Sequence, residues 1–517
     1  MLTPTPRGDT PHYPTSAFHD HDPHPRPYPH NYIHTNTDAV ASTHATNQTP
    51  TPQPPSRHTT MPHPPLHAQP NTHTTVSTPT LQPYNCTGIF ACHQPERIHL
   101  DLHEQNIVVL PTNTFRGLFE VTDLDLSGNS IQVLPLNVLN GLSKLAFLHL
   151  NKNSIQVLPH NVFNGLIQVL PRNVLHGLSN LASLHLNKNS IQVLPQSMFN
   201  GLSEVTVLDL SENNIQVLPQ DVFNGLSNLT ILDLSENNIK MLPHNVFNRL
   251  SQLNYLNLSG NSIQVLPQNV FNGLSQLYHL NLYKNSIQVL PHNVFNGLSN
   301  LTNLYLSKNS IQMLPHNMFN GLSKITAIYL SGNNIQVLPR NVLNGLSNLA
   351  SLHLNKNSIQ VLPQSVFNGL NSIHVLPHNV FNGLSELYYL GLSGNMIQVL
   401  PHNVFNGLSK ITAIYLSGNN IQVLPRNVLH GLSNLASLHL NRNSIRVLPH
   451  NVFNGLSKIT TLYLSGNSIR VLPHNVFNGL SKLYLLDLSG NSIQVLPHNV
   501  FNGLSNLPRY LSDSGLY

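Results

Sequence analysis

Residues 229–252 read LTILDLSENNIKMLPHNVFNRLSQ, and variants of this 24-residue unit recur from residue 98 to residue 507. Sixteen of the units carry the segment L-x-x-L-x-L or a close variant of it, in which leucine, isoleucine or valine alternates with variable residues. A unit that repeats at a fixed period without a complete core of its own must bury its apolar residues against its neighbours. The sequence therefore predicts one long solenoid rather than several globular domains, although the chain has 517 residues.

The alternation of leucines predicts a short β-strand in every unit. Successive strand residues point to opposite faces, so Leu256 and Leu258 are expected to face inward and Asn257 outward. Strands stacked about 4.8 Å apart form a parallel sheet whose inner face is a continuous leucine core. We expect this sheet to line the concave side of a horseshoe, with the outward residues on its surface.

The rest of the unit, N-x-I-x-x-L-P-x-x-V-F-x-G-L-S, returns along the convex side. Its proline interrupts any regular helix, so we predict an irregular return with short 3₁₀ segments and a second apolar spine of stacked phenylalanines. The asparagine must satisfy its buried amide, and the backbone of adjacent units is the expected partner. The asparagines are Asn129, Asn153, Asn189, Asn213, Asn237, Asn261, Asn285, Asn309, Asn333, Asn357, Asn395, Asn419, Asn443, Asn467 and Asn491.

Two steps of this asparagine series span 36 and 38 residues instead of 24. In both places a convex half is written twice, with no strand between the copies. We expect the flanking strands to pair directly, because the sheet then stays complete, and the surplus residues to bulge on the convex side. The predicted bulges are half-repeats near residues 164–176 and 368–382. The alternative is a break into three shorter solenoids.

The chain before the repeats has a different composition. Proline, threonine and histidine dominate it and no apolar periodicity appears, which predicts disorder. Cys86 and Cys92 lie where the open end of the core needs a cap. Their spacing permits a disulfide in an oxidising compartment, and two reduced thiols are the alternative. The predicted segments are a disordered tail (1–84), a short cap (85–97), the solenoid (98–507) and a degenerate C-terminal tail (508–517).

The unit ending in L-P-x-x-V-F-x-G-L resembles the typical repeat of extracellular leucine-rich repeat proteins. These include Toll-like receptor ectodomains, Slit-type guidance proteins and the variable lymphocyte receptors of jawless fish. Residues 266–277, LPQNVFNGLSQL, are especially similar to the last group. The resemblance covers about four-fifths of the chain. It implies a leucine-rich repeat solenoid that binds proteins or glycans through its concave face, outside the cell.

Comparison of the repeats with one another separates a constant convex half from variable strand segments. The repeats contain ten tyrosines, and all ten lie in the strand segments. Tyrosine is frequent in binding hot spots because it offers large contact area at low entropic cost. Cross-strand packing of the rings is the alternative for any single tyrosine, whereas segregation of the set favours a ligand platform. The candidate ligand-binding residues are Asp209, Asp233, Tyr255, Tyr278, Tyr283, Tyr305, Tyr329, Tyr388, Tyr389, Tyr415 and Tyr463.

The sequence contains no motif typical of an enzyme, such as a nucleophile elbow or a phosphate loop, and no metal or cofactor site is predicted. Basic residues are scattered singly, so the net charge of +5 does not indicate nucleic-acid binding. No apolar run suffices for a transmembrane helix, and the N-terminus lacks the apolar core of a signal peptide. We expect a non-enzymatic protein that binds a protein or glycan ligand, receptor-like or in innate-immune recognition, and extracellular or at the cell surface by resemblance. The alternative is a structural matrix or cell-adhesion protein.

Overall fold

The computed structural model describes residues 97–156, 158, 175, 177–339, 341–360 and 380–507. These residues contain sixteen three-residue strands and no helix. The strands are β1 (His99–Asp101), β2 (Asp123–Asp125), β3 (Phe147–His149), β4 (Ser183–His185), β5 (Val207–Asp209), β6 (Ile231–Asp233), β7 (Tyr255–Asn257), β8 (His279–Asn281), β9 (Asn303–Tyr305), β10 (Ala327–Tyr329), β11 (Ser351–His353), β12 (Tyr389–Gly391), β13 (Ala413–Tyr415), β14 (Ser437–His439), β15 (Thr461–Tyr463) and β16 (Leu485–Asp487).

All sixteen strands form one parallel sheet, and their order in the sheet is their order in the chain. The central residue of each strand pairs with the central residue of the next, as Leu232 does with Leu256. Both of these leucines are fully buried, and so is Leu258 just after the strand. The predicted leucine-rich repeat solenoid is therefore confirmed, with the leucine core behind the sheet.

The sheet continues through both irregular steps of the repeat. Strand β3 pairs directly with β4, and β11 with β12, in the register of every other pair. Beyond the first step, Asn189 Nδ2 still donates to the carbonyl oxygen of Leu150 at 2.9 Å. The predicted unbroken sheet is confirmed, and the alternative of three separate solenoids is wrong. Most residues of the predicted bulges, 164–176 and 368–382, lie outside the described residues.

Each repeat asparagine ties its unit to the preceding one. Asn261 Nδ2 donates to the carbonyl oxygen of Leu234 in the preceding unit at 2.9 Å and to that of Leu258 at 3.1 Å. Its Oδ1 accepts the backbone N–H of Ile239 at 3.0 Å. The side-chain amide thus uses both its donor and its acceptor on backbone groups, as predicted for a buried asparagine.

The convex side consists of consecutive turns closed by hydrogen bonds between residues three apart. Val246 N donates to Pro243 O at 3.4 Å and Leu250 N to Phe247 O at 3.0 Å. The predicted phenylalanine spine is present, with ring centroids 6.0–6.5 Å apart. Stacked rings run from Phe199 through Phe223, Phe247, Phe271 and Phe295 to Phe319, join Phe381 to Phe405, and join Phe453 through Phe477 to Phe501.

Several sequence predictions concern parts of the chain outside the described residues. They include the disordered tail of residues 1–84, Cys86 and Cys92 with nearly all of their cap, and the C-terminal tail of residues 508–517. Within the described ranges, no helix is long and apolar enough to cross a membrane.

Candidate ligand-binding face

The open face of the sheet carries the two outward residues of each strand, one on either side of the central residue. The outward residue after the central one is polar from β1 to β8. It is aromatic in every strand from β9 to β15 except β12, where it is glycine. In chain order these residues are Asp101, Asp125, His149, His185, Asp209, Asp233, Asn257, Asn281, Tyr305, Tyr329, His353, Gly391, Tyr415, His439, Tyr463 and Asp487.

Aromatic rings on the second half of this face stack into one continuous series, which we call the ring ladder. The rings of Tyr305 and Tyr329 lie 4.5 Å apart and only 3° from parallel. The five further contacts have centroid separations of 4.3–5.1 Å. Each strand from β9 to β15 thus contributes one ring. The ring ladder consists of Tyr305, Tyr329, His353, Tyr389, Tyr415, His439 and Tyr463.

The ring ladder changes position at β12. Gly391 has no side chain there, and a Cβ on it would meet Asn355 Nδ2 at 2.5 Å. Asn355 occupies this space and accepts a hydrogen bond from Ser393 N at 2.9 Å. Tyr389, on the other side of the central leucine, supplies the missing ring and contacts His353 at 4.3 Å and Tyr415 at 5.1 Å.

The series extends upstream through two partly hidden rings. Tyr255 stacks on His279 at 4.5 Å, and His279 contacts Tyr305 at 4.9 Å. Tyr255 is only 3% exposed, so little of its side chain is open to a ligand. Burial lowers the pKa of His279 to about 4, and its Nε2 has no hydrogen-bond partner among the described residues.

The two histidines inside the ring ladder are neutral bases at physiological pH. Burial lowers the pKa of both His353 and His439 to about 4. Each Nε2 is held by the serine two residues earlier, Ser351 Oγ at 2.8 Å and Ser437 Oγ at 2.9 Å. Both strands read Ser-Leu-His. The serine and the histidine lie on either side of the central leucine, so both side chains are on the open face and can form this hydrogen bond.

Three of the five ladder tyrosines are protonated as well. Burial raises the pKa of Tyr305, Tyr415 and Tyr463 above the ordinary phenol value. Their hydroxyls therefore remain donors and acceptors over the physiological range. The aromatic half of the open face is an uncharged surface of stacked rings with polar edges.

The two candidate aspartates hold local structure. Asp233 Oδ1 accepts hydrogen bonds from Ser235 N at 2.9 Å and Ser235 Oγ at 2.6 Å, and its Oδ2 accepts one from Asn257 Nδ2 at 3.1 Å. Asp209 is bonded to Ser211 in the same way. Burial, with a smaller contribution from the charge of Asp209, raises the pKa of Asp233 to about 6. Both carboxylates thus fasten the turn after their strand.

The first three strands carry a charged cluster that the sequence analysis did not single out. Asp123, buried at the centre, contacts Arg97 Nη2 at 2.5 Å, His99 Nδ1 at 3.0 Å and His149 Nε2 at 3.5 Å. Burial alone would raise the pKa of Asp123, but His149, His99 and Arg97 outweigh it and hold that pKa well below its usual range. The signal was available, because histidines and aspartates occupy outward positions in consecutive repeats.

The remaining candidate tyrosines lie beside the ring ladder rather than in it. Tyr283 follows β8, and the ammonium of Lys308 lies 5.1 Å from its ring centroid. Tyr278 and Tyr388 immediately precede β8 and β12, and Tyr388 is 50% exposed. Across the described part of the chain, no group of three or more side chains is arranged to hold a metal ion.

Known proteins share this architecture. A solved leucine-rich repeat protein of Leptospira interrogans is 28% identical over 76% of this chain and 90% of its own, with a TM-score of 0.59. TLR13, solved in complex with ssRNA, is 25% identical with a TM-score of 0.55, and Toll of Drosophila, solved in complex with Spatzle, is 24% identical with a TM-score of 0.63. The alignments cover 77% of this chain in both cases, but only 50% of the TLR13 chain and 51% of the Toll chain.

No curated protein sequence matches the chain. The family model described as leucine rich repeat matches residues 99–155 and, in overlapping segments, residues 161–511. These segments include every strand of the sheet and every repeat asparagine that connects its units. The chain therefore belongs to the leucine-rich repeat family.

Proposed function

We propose that this is a non-enzymatic, extracellular, receptor-like protein that recognises a protein or glycan through the open face of its sheet. The observation that carries the proposal is the ring ladder, a stack of tyrosines and histidines on the open face, together with the confinement of the repeat tyrosines to the strand segments while the convex side repeats a nearly constant sequence. Packing between units does not by itself require that tyrosines lie on the strand side and not on the convex side. Membership of a family that includes ligand-bound TLR13 supports a binding role.

The charge of the face bears on the class of ligand. The ring ladder is uncharged, because its histidines have a pKa of about 4 and its tyrosine hydroxyls are protonated. Nucleic-acid binding depends mainly on basic side chains that neutralise phosphates. We therefore favour a protein or a glycan that hydrogen-bonds to ring edges over a nucleic acid at this face.

The test separates binding from packing. The full chain is applied to arrays of secreted proteins and glycans, and the affinity of each hit is measured again with Tyr305→Phe, Tyr329→Phe and Tyr415→Phe combined. This variant keeps the stacked rings and removes only hydroxyls, so folding is retained while affinity falls at least about tenfold, or 1.4 kcal/mol. The control is the convex pair His316→Ala and His402→Ala, which should keep full affinity.

Loss of binding in the convex pair, with full affinity in the phenylalanine variant, would remove the open face as the binding site. Diffuse self-association without a specific hit would favour the alternative of a structural or adhesion protein.

A further inference from the structure

Flat ligands need a free ring face, and the ring ladder offers few. Its rings lie 4.3–5.1 Å apart at interplanar angles of 3–34°, so the faces of its inner rings are covered by neighbouring rings. Tyr388 and Tyr484 differ, because they are 50% and 53% exposed and have no ring contact within the described ranges. Both occupy the position just before a strand, outside the ring ladder.

Between these two tyrosines the same position holds only small residues. Thr412, Ala436 and Thr460 precede β13, β14 and β15, and each threonine hydroxyl donates to the backbone oxygen of the preceding unit at 2.9 Å. Four strand spacings separate Tyr388 from Tyr484, or about 19 Å. The result is a low floor with one exposed ring at each end.

Basic side chains line the outer side of this floor. Lys410 Nζ lies 2.7 Å from Glu386 Oε2, and Lys458 Nζ lies 2.6 Å from Asn434 Oδ1. Each ammonium has three donors and uses one in these contacts, so donors remain for a ligand. The groove is shallow and open to solvent, has a volume of about 490 Å³, and is lined by Ala350, Glu386, Tyr388, Lys410, Thr412, Asn434 and Lys458. We call it the flank groove.

We infer that the flank groove binds an acidic saccharide, with a sugar ring against Tyr388 and its carboxylate or sulfate groups on Lys410 and Lys458. The exposed ring face takes the apolar face of a sugar, Thr412 and Asn434 meet hydroxyls, and the two ammonium groups, which outnumber the single carboxylate of Glu386, meet anions. The inference rests on the proposed function only in taking the strand side of the solenoid as the binding side.

Other polyanions fit the groove less well. Single-stranded nucleic acid stacks successive bases on closely spaced aromatic side chains, whereas the next exposed ring here is about 19 Å away by strand spacing. A peptide made only of acidic residues would use the lysines but would offer no ring to Tyr388. A saccharide accounts for the ring, the hydroxyl-rich floor and the charges together.

The chain contains a matched control for the charged contact. Lys144 Nζ lies 2.6 Å from Glu120 Oε2, at the same repeat position as the pair of Lys410 and Glu386, but the residue that corresponds there to Tyr388 is Thr122. Both lysine side chains are similarly exposed, 56% for Lys144 and 60% for Lys410. The lysine–glutamate pair is thus the same at both places, but the control place lacks the ring and has Glu204 where the flank groove has Lys458.

The experiment measures binding of a heparin octasaccharide, a hyaluronan octasaccharide, neutral maltooctaose, octaglutamate and an eight-residue thymidine oligonucleotide to the full chain. We expect at least one acidic saccharide to bind best, with hyaluronan reporting carboxylates and heparin adding sulfates. Tyr388→Ala, and Lys410→Ala combined with Lys458→Ala, should each weaken it at least about tenfold, whereas Lys144→Ala should change it less than about twofold.

Three outcomes overturn the inference: no binding of either acidic saccharide, equal loss in Lys144→Ala, or equal binding of octaglutamate or the oligonucleotide with no effect of Tyr388→Ala. The phenylalanine variant of the ring ladder is measured in parallel. Unchanged saccharide affinity in that variant assigns binding to the flank groove alone, so failure of either proposal is recognised separately.

Discussion

Individual residues of the open face make opposite contributions to the pH dependence of the free energy of unfolding. The ladder histidines are bases whose charged form is disfavoured by burial, whereas Asp233 is an acid whose charged form is disfavoured by burial and by Asp209. A buried base makes the folded protein less stable as the pH falls, and a buried acid makes it less stable as the pH rises. The two effects can therefore be separated by titration.

The pKa of His353 and His439 is about 4 in the folded chain against an ordinary histidine value of 6.5. The unfolded state binds more protons between these values, so the free energy of unfolding should fall as the pH drops from 6.5 to 4 and then level off. Each histidine contributes up to about 3 kcal/mol to this fall. Urea unfolding of His353→Phe combined with His439→Phe, at pH 7.5 and 4.5, should show a flatter dependence.

The exposed convex residue His316 provides the control, and His316→Ala should keep the wild-type slope. An unchanged slope in the double phenylalanine variant would show that the ladder histidines do not cause the pH dependence.

For Asp233 the sign is reversed. Its pKa is about 6 against an ordinary aspartate value of 3.8, so stability present in the protonated state is lost as the pH rises through 6. Asp233→Asn should therefore raise the free energy of unfolding at pH 8 by about 1–3 kcal/mol. Asp487→Asn is the matched control, because Asp487 makes the same contacts with Ser489 but has a lowered pKa. It should lower stability at pH 8, and a gain of equal size in both variants would contradict the argument.

At the scale of strands and turns, the repeat sequence was sufficient for the fold. Leucine alternation predicted the strands, and the asparagine at a fixed position predicted the backbone contacts that Asn261 makes. The side-chain contacts on the open face were not predicted. One example is the hydrogen bond between the Asp233 carboxylate and Ser235, and another is the ring that Tyr389 contributes to the ring ladder at β12, where Gly391 has none. Both contacts depend on how side chains of neighbouring units are oriented.

The phenylalanine spine provides a prediction at this scale. Leu429 takes the place of phenylalanine between the units of Phe405 and Phe453, and it is 2% exposed. Leu429→Phe should join two stacks and raise the free energy of unfolding by about 0.5–1.5 kcal/mol. Phe247→Leu, inside an existing stack, should lower it by a similar amount. Destabilisation by Leu429→Phe in urea unfolding would mean that the site does not admit a ring.

At the scale of the whole molecule, the sheet continues unchanged across the two irregular steps of the repeat. Strands β3 and β4 pair in the ordinary register although 36 residues separate Asn153 from Asn189. The sequence indicated this because a half-unit has no strand to insert. The flank groove, in contrast, was not predicted from the sequence. Lys410 and Lys458 are 48 residues apart in the chain and line the same groove only when the repeats are stacked.

Deleting residues 155–166, IQVLPHNVFNGL, restores the standard step, because 36 minus 12 is 24. We expect an unchanged or higher free energy of unfolding and a single cooperative transition, since Ile167 then follows Ser154 as Ile155 did. Deleting residues 263–274, IQVLPQNVFNGL, is the control, because no second copy follows it and a unit loses its convex half. Circular dichroism and urea unfolding report both. Equal damage by the two deletions would show that the first step needs its surplus residues.

The ring ladder also has an optical consequence. The chain contains no tryptophan, and ten of its sixteen tyrosines lie on the strand side of the repeats. Near-ultraviolet absorption and fluorescence thus arise mainly from this side, and rings 4.3–5.1 Å apart couple their excited states. A ligand that displaced one ring would disturb the spectrum of the whole series. The protein therefore carries its own label-free reporter of occupancy.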